Sequence, residues 1–339
     1  MTIAVCILAK NESSSIGPTL AQLANQTLLK TSGGSTTVHV VANGCTDDTA
    51  AAAERSRDLL AKSGTALKSY DLHPGGKSRA WNRMVHDLAE PDTDFFIFCD
   101  ADIEFVDERV LEEMLAKLKR RPDLEVCTGY PLKDATAKPR KNVYDKLSLA
   151  LSRETRHINA IAGSLYIARA EALRAIWLPN ETPAEDGFLN AMLNTDGFSQ
   201  KSRPRVIEEH DRPTHYYEQL DPVAFIAHER RLIVGTIINR WIFEHLWSLS
   251  LTSPAGPLID QMNHDDPDWV ERIIRERSQA KSWLIPNAIL FARLTANQNR
   301  ALWRRLAFFP LALAGTMMTI LPAVSANRRL KAAGASSVW

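Results

Sequence analysis

Phe95-Phe96-Ile97-Phe98-Cys99-Asp100-Ala101-Asp102 is the stretch on which the reading of this chain turns. The five residues before the acids read as a buried strand. Two carboxylates, one residue apart, follow where that strand must end. In an open α/β sheet ligands bind at the carboxyl ends of the strands, so Asp100 and Asp102 are expected to face a site. Carboxylate oxygens there suit Mg²⁺ or Mn²⁺, with substrate phosphates completing the shell. The spacing alone is weak: Asp92-Thr93-Asp94 and Asp266-Pro267-Asp268 repeat it. The first precedes the strand and the second opens a helix, where acids favour the dipole. Only Asp100 and Asp102 have the strand-end context.

Outward from this stretch, β-rich runs alternate with helical ones. Strands are expected at Ile3–Ala9, Thr37–Ala42, Ala66–Leu72 and Leu124–Thr128. Between them Ile16, Leu20, Leu23 and Thr27 recur at helical spacing behind Ser14 or Ser15 as N-cap. Thr46 begins an Ala-rich helix that Gly64 can end. Further helices are expected near Ser78–Leu88 and from the cap Asp107 to the residue before Pro122. This alternation predicts an α/β fold, a mostly parallel sheet with helices on both faces. In the middle, Leu132–Asn142 reads as a mobile loop, Val143–His157 as a helix, Ser164–Ile167 as a strand and Glu185–Leu193 as a helix. Asp221–Leu251 is a long helical stretch, and Asp266–Ala280 is amphipathic.

The composition is that of a globular protein, 45% hydrophobic and 24% charged over 339 residues, which excludes low-complexity and collagen-like chains. The net charge of +1 hides an asymmetry: from Glu271 onward there are 11 Lys/Arg and 2 Asp/Glu. A basic tail on an acidic body is not the profile of a nucleic-acid binder; it is either a surface for an anionic membrane or a solvated basic helix. Leu306–Val324 carries no charge and lies between Arg304-Arg305 and Arg328-Arg329. Its length fits a bilayer core, but Pro310 and Pro322 leave a single span, an interfacial or re-entrant hairpin, and a core helix all open. Cys6, Cys45, Cys99 and Cys127 form no CxxC pair and read as reduced thiols. The organisation expected is a catalytic domain over 1–215, a helical extension over 216–300 and a membrane-associating tail over 301–339.

Three further motifs carry chemistry. Asn43-Gly44-Cys45-Thr46-Asp47 follows a strand; it is either a good turn or a place where Asn43 presents its amide to a base or ribose. Pro74-Gly75-Gly76-Lys77-Ser78-Arg79-Ala80-Trp81-Asn82 is no P-loop, because Asp71 stands where that motif needs Gly, yet a Gly loop opening a helix with Lys77 and Arg79 suits phosphates or a sugar. Glu185-Asp186 at a helix start is either a pair of dipole acids or a base for an attacking hydroxyl.

In this order, with Lys10-Asn11-Glu12 after the first strand, the segments resemble the family 2 glycosyltransferases of the GT-A fold, over roughly residues 1–215. The resemblance implies that Glu12 and Asn43 hold the nucleotide and that Lys77, Arg79 and Asn82 lie near the phosphates or donor sugar. It implies Asp102 as metal ligand, Asp100 on ribose or metal, and Asp186 as general base with Glu185 beside it. The implied reaction is an inverting, metal-dependent displacement from a nucleoside-diphosphate sugar to a hydroxyl. The basic, apolar tail and the reduced thiols place the enzyme at the cytoplasmic face of a membrane, which points to a lipid-linked or envelope-polysaccharide acceptor. Two departures stand out. Ala42 replaces an acid often found near the base. Of the Gln-x-x-Arg-Trp motif of processive members only Arg240-Trp241 remains, which disfavours processive synthesis. His210 or His215 is a candidate third metal ligand. A sugar-phosphate nucleotidyltransferase would need a Gly-rich loop with Arg after the first strand, where Lys10-Asn11-Glu12-Ser13 stands. A non-catalytic scaffold would not need the four acids.

Overall fold

The computed structural model describes residues 1–33, 35–152, 159–295 and 302–332. The chain forms two compact units, one of Met1–Asn180, Glu185–Gln219 and Leu251–Asp260, the other of Glu181–Ala184, Leu220–Ser250 and the chain from Gln261 onward. In chain order the first half comprises β1 (Ile3–Ala9), α1 (Ile16–Asn25), α2 (Thr27–Thr31), β2 (Thr36–Asn43), α3 (Thr49–Glu54), α4 (Arg57–Lys62), β3 (Ala66–Leu72), α5 (Lys77–Arg83) and β4 (Phe95–Cys99). There follow β5 (Glu104–Phe105), α6 (Val110–Arg120), β6 (Val126–Thr128), β7 (Pro131–Lys133), α7 (Val143–Ser152), β8 (Leu165–Arg169), α8 (Ala170–Arg174), α9 (Glu185–Thr195), β9 (Ile207–Glu209) and β10 (His215–Tyr217). The remainder is helical: α10 (Pro222–Ser248), α11 (Gly256–Asp265), α12 (Trp269–Gln279), α13 (Asn287–Leu290), α14 (Ala292–Thr295) and α15 (Leu302–Ala332).

The main sheet has seven strands in the order β3-β2-β1-β4-β8-β6-β9. β1 runs parallel to β2 and to β4, and β2 parallel to β3, with Ile3 opposite both Thr36 and Phe95. The sheet is buried on both faces because alternate residues feed two cores. Ile3, Val5 and Ile7 of β1 pack with Ile16, Leu20 and Leu23 of α1 and with Leu111 and Met114 of α6. On the opposite face Phe98 of β4 stacks between Trp81 of α5 and Tyr166 of β8, with ring centroids 5.9 and 5.0 Å away.

The structure departs from the sequence expectations where direction or short length decides. β8 is antiparallel to both β4 and β6, because a buried strand carries the same residue pattern in either direction. The helix expected from Thr46 divides into α3 and α4, with Ser56 between them. Leu132–Asn142 is not a loop throughout: β7 pairs with β10, which pairs with β5, in a second three-stranded sheet. Three residues are too few to show periodicity. The expected helix Val143–His157 is present to Ser152; 153–157 lies outside the described residues.

In the helical unit, Asp221 caps α10 by accepting from the Val223 and Ala224 amides. α15 packs against it with small residues: Ala312, Thr316, Thr319, Ala323 and Ala326 are buried. Arg293 donates to the Gly315 carbonyl at 2.6 Å and to Thr319 Oγ1 at 3.2 Å. Phe309, Leu313, Met317, Met318, Ile320 and Leu321 of the same helix are exposed, whereas Leu330 near its end is buried.

His39 is fully buried on β2, stacked on Tyr70 and 3.4 Å from Glu90. Burial pushes its pKa down to about 4, Glu90 opposing and Lys68 adding to the shift. A buried neutral imidazole contributes stability that is present above the ordinary value of 6.5 and is lost as the pH falls towards 4. Other buried histidines, His215 among them, add to this loss, so urea denaturation between pH 6.5 and 5 should lose about 2 kcal/mol less in His39→Gln than in the wild type; an unchanged slope would assign the acid lability elsewhere.

Candidate active site

Four parallel strands end at the same edge of the sheet, and the loops leaving them are tied to one another. After β1, Asn11 takes a positive φ of 58° and its Oδ1 accepts from the Thr46 amide at 2.8 Å. The Glu12 amide donates to Thr49 Oγ1 at 2.8 Å, and Asp47 accepts from the Ser13 and Thr49 amides, both at 3.1 Å. After β2, Asn43 Oδ1 accepts from the Gly76 amide at 2.8 Å. Gly44, at φ +61°, lies so close to Gly75 that a Cβ on it would come within 2.7 Å of the Gly75 Cα. These contacts hold the Gly75-Gly76 turn against the end of β2 and so place Lys77 at the start of α5.

Lys77 organises the charges. Its Nζ lies 2.8 Å from Glu185 Oε1 and 3.5 Å from Asp100 Oδ1. Burial by itself would lower its pKa, but Asp100 and Glu185 outweigh that and hold it well above the usual value. Asp100 is shifted upwards by burial, with Asp102 and Glu185 adding and Lys77 opposing. Asp186 is raised by burial and then by the Glu185 charge, although its Oδ1 accepts from the Gly187 amide at 2.7 Å. Glu12 is raised by burial, with Asp102, Asp100 and Asp47 contributing, against the hydrogen bond from Ser15. The edge thus gathers more negative charge than its one lysine balances.

Lys77, Asp100, Glu185 and Asp186 line one cleft with Leu8, Trp81, Phe98, Gly163, Tyr166 and Leu189. Gly163 leaves room for the Asp186 carboxylate: a Cβ there would sit 3.4 Å from Asp186 Cβ. The Tyr166 hydroxyl accepts from Trp81 Nε1 at 3.0 Å and fixes the aromatic floor. Gly163, Tyr166 and Trp81 escape sequence reasoning as site residues, since nothing in their local pattern separates them from core positions.

The other sequence candidates take different places. Glu12 and Asp102 act on the cleft by charge, and Asp102 is exposed. Asn43 ties a loop, as described. Arg79 Nη1 donates to the Gly75 carbonyl at 3.1 Å, bracing the glycine turn. Asn82 is buried; its amide donates to the Leu178 carbonyl at 2.8 Å and accepts from the Leu178 amide at 2.9 Å, so it holds the chain leading towards α9. His215 is buried, with one ring nitrogen 2.8 Å from Ser164 Oγ and the other 2.9 Å from Thr214 Oγ1. Both nitrogens are engaged, which leaves no lone pair for a metal in this arrangement. His210 Nδ1 lies 3.0 Å from the Arg212 carbonyl.

Among the described residues no three His, Cys, Asp or Glu side chains converge as a metal cage. Asp100 and Asp102, two mutually repelling carboxylates at a strand end, nevertheless fit a divalent cation whose remaining positions are filled by water and substrate phosphate.

Residues 4–177 match the sequence profile of Glycosyl transferase family 2. The chain belongs to that family. It is accordingly a glycosyltransferase acting on nucleotide sugars, and its sheet and helices are GT-A-like. No curated protein sequence matches it. Among solved structures it is similar in fold to the mannosyltransferase PcManGT from Pyrobaculum calidifontis, solved with GDP-Man and Mn²⁺, at 17% identity over 96% of this chain and 86% of that one, TM-score 0.57. S. aureus TarS 1-349 matches at 18% identity over 98% and 90% of the two chains, TM-score 0.47. Glucosyl-3-phosphoglycerate synthase from Mycobacterium tuberculosis, with Mg²⁺ and UDP, matches at 17% identity over 70% and 79%, TM-score 0.45.

A carboxyl whose pKa is raised on folding contributes stability below its ordinary pKa of 3.8 and loses it as the pH climbs through the folded value. Asp186→Asn should therefore raise the melting temperature of this family 2 enzyme at pH 7 by about 2 °C or more, and not at pH 3.5. Scanning calorimetry at the two pH values decides; equal shifts would mean that the carboxylate is not strained.

Proposed function

We propose that the protein is an inverting, non-processive glycosyltransferase that moves a sugar from a nucleoside-diphosphate donor to a hydroxyl of a lipid-linked or saccharide acceptor, with Mn²⁺ or Mg²⁺ at Asp100 and Asp102. The observation that carries this reading is Asp186 beside Glu185 in the same cleft as Asp100 and Lys77. Burial next to a second carboxylate keeps Asp186 more basic than an ordinary aspartate, which suits a general base. Asp186 takes the proton from the acceptor hydroxyl as the acceptor oxygen bonds to the anomeric carbon. The bond from that carbon to the diphosphate oxygen breaks, and the electron pair leaves with the diphosphate. Attack opposite the leaving group inverts the configuration. Lys77 holds Asp100 and Glu185 in place and supplies positive charge to the site. A cation bound at Asp100 and Asp102 would supply neutralisation of the leaving group's charge. PcManGT, solved with GDP-Man and Mn²⁺, agrees with this class of donor and cation. Ile237, buried on α10, stands in the place of the glutamine of processive members, which supports a single transfer.

We further propose that the helical unit rests on the cytoplasmic face of an anionic membrane. No helix of the described residues is long and apolar enough to cross one. Between Phe309 and Leu321, α15 buries Ala312, Thr316 and Thr319 and exposes Phe309, Leu313, Met317, Met318, Ile320 and Leu321, Met317 being 63% and Leu321 68% exposed. Small residues at helix contacts with bulky ones outside is the arrangement of helices in lipid, opposite to that of a water-facing helix. Exposed Arg328 and Lys331 at its end suit anionic headgroups. The four cysteines are free thiols, as a reducing compartment requires.

Calorimetry of nucleoside diphosphates with Mn²⁺ should show binding of one of them that Asp102→Ala abolishes. Asp186→Asn should keep that binding and lose roughly 10²–10⁴-fold in kcat, and the acid limb of wild-type kcat should lie above the usual carboxylate range. Failure of every diphosphate to bind folded protein would sink the transferase reading. For the membrane, the protein should float with phosphatidylglycerol vesicles, and Leu313→Glu with Met317→Glu should leave it in the aqueous fraction. Flotation that these charges do not disturb would place the contact elsewhere.

A further inference from the structure

The middle of α10 carries an anomaly. Asn239 is buried on a helix where Ile237, Ile238 and Ile242 are buried too, and a buried amide is costly unless both of its ends find partners. Both do. Its Nδ2 donates to the Ala184 carbonyl at 2.7 Å, and its Oδ1 accepts from Thr182 Oγ1 at 2.5 Å, with Thr182 itself buried. One helical turn earlier, on the same face, stands Gly235. A Cβ at that position would come within 2.8 Å of Ala184 Cβ. Glycine in a helix interior is unfavourable relative to alanine, and here it lets Ala184 approach the helix. Two residues that α10 would not otherwise favour, four apart on one face, therefore serve one contact: they seat Thr182–Ala184.

Ala184 is bonded directly to Glu185, the first residue of α9. Its carbonyl position and orientation are thus passed through a planar peptide to the turn that carries Glu185 and Asp186. From the other side Asn82 holds Leu178 by both polar atoms of its amide. The carboxylates that follow must meet Lys77 and an acceptor in a definite geometry.

We propose that Asn239 and Gly235 are positioning residues for the transfer reaction: the face of α10 that they form fixes Ala184 and thereby sets the placement of Glu185 and Asp186. The inference rests on the reading of Asp186 as general base. It gives the long helix after the catalytic domain a part in turnover.

The test is a compensating pair in the full-length protein. Gly235→Ala puts a methyl group onto the Ala184 methyl, and Ala184→Gly in the same chain removes the collision. Hydrogen exchange followed by mass spectrometry should show faster exchange in peptides covering 181–189 in Gly235→Ala, restored in the double variant. Asn239→Leu, which keeps the volume and removes both bonds, should show the same loosening without restoration by Ala184→Gly. Release of nucleoside diphosphate from GDP-mannose, UDP-glucose or UDP-N-acetylglucosamine, with water as acceptor, should fall about 10- to 100-fold in kcat for Gly235→Ala, with the donor KM unchanged, and recover in the double variant. A general loss of stability would raise exchange throughout and would not be repaired by a glycine at 184. The proposal is overturned if peptides 181–189 exchange as in the wild type, if the double variant fails to restore them, or if kcat is unaffected in a chain that has loosened there. Asp186→Asn is assayed alongside: if it stays active, the reading of the base fails; if it is inactive while Gly235→Ala turns over normally, only the positioning role fails. The exchange measurement decides the contact even when no donor is turned over in water.

Discussion

The constraint on which this molecule depends is electrostatic: carboxylates from separate segments meet at one edge of a sheet around the half-buried Lys77 ammonium group. β1, β2, β3 and β4 all deliver their following segments to that edge, among them Asp100 and Lys77, and the start of α9 adds Glu185 and Asp186. Asp100, Glu185 and Asp186 reach the cleft from loops far apart in sequence, and each charge raises the cost of the next. Lys77 offsets part of that cost, 2.8 Å from Glu185 and 3.5 Å from Asp100. What remains unbalanced is a standing preference for cations and for the protonated carboxyl, the two properties on which the proposed transfer relies. The site is kept at the expense of stability, as functional sites commonly are.

That arrangement survives because the backbone around it is held by short-range ties. Asn11 holds Thr46, Asn43 holds Gly76, Asn82 holds Leu178 and Asn239 holds Ala184. An asparagine both donates and accepts through a short, uncharged side chain, so it can anchor a loop without adding to the charge already present. The glycines at 44 and 75 serve the same end by letting two loops touch backbone to backbone.

α15 obeys a different rule. Burial in water selects large apolar residues for the inside, yet here Ala312, Thr316, Thr319, Ala323 and Ala326 are inside while Leu313, Met317 and Leu321 face out. Small residues allow α15 to approach its neighbours closely, and among the described residues Leu313, Met317 and Leu321 stay exposed.

The amino-acid sequence by itself determined the strand-and-helix alternation of the first half. Ile3–Ala9, Ala66–Leu72 and Phe95–Cys99 are strands with the very ends expected, because an apolar run bounded by turn residues is a local signal. It also singled out Asp100, Asp102, Lys77, Glu185 and Asp186 as candidates, the acids after a buried strand and the lysine after two glycines by their local setting and the Glu185-Asp186 pair by resemblance; the fold brings Lys77, Asp100, Glu185 and Asp186 into one cleft. Tertiary structure alone decided the rest. The direction of β8, the pairing of the three-residue strands and the inverted helix α15 depend on what lies across a contact. So do the separate partners of the asparagines: Asn43 accepts the Gly76 amide through its Oδ1, and Asn82 holds Leu178 through both polar atoms of its amide. A side chain's type is written in the chain, but its partner is chosen by the space around it, and residues 96 apart share that space only once the sheet has formed.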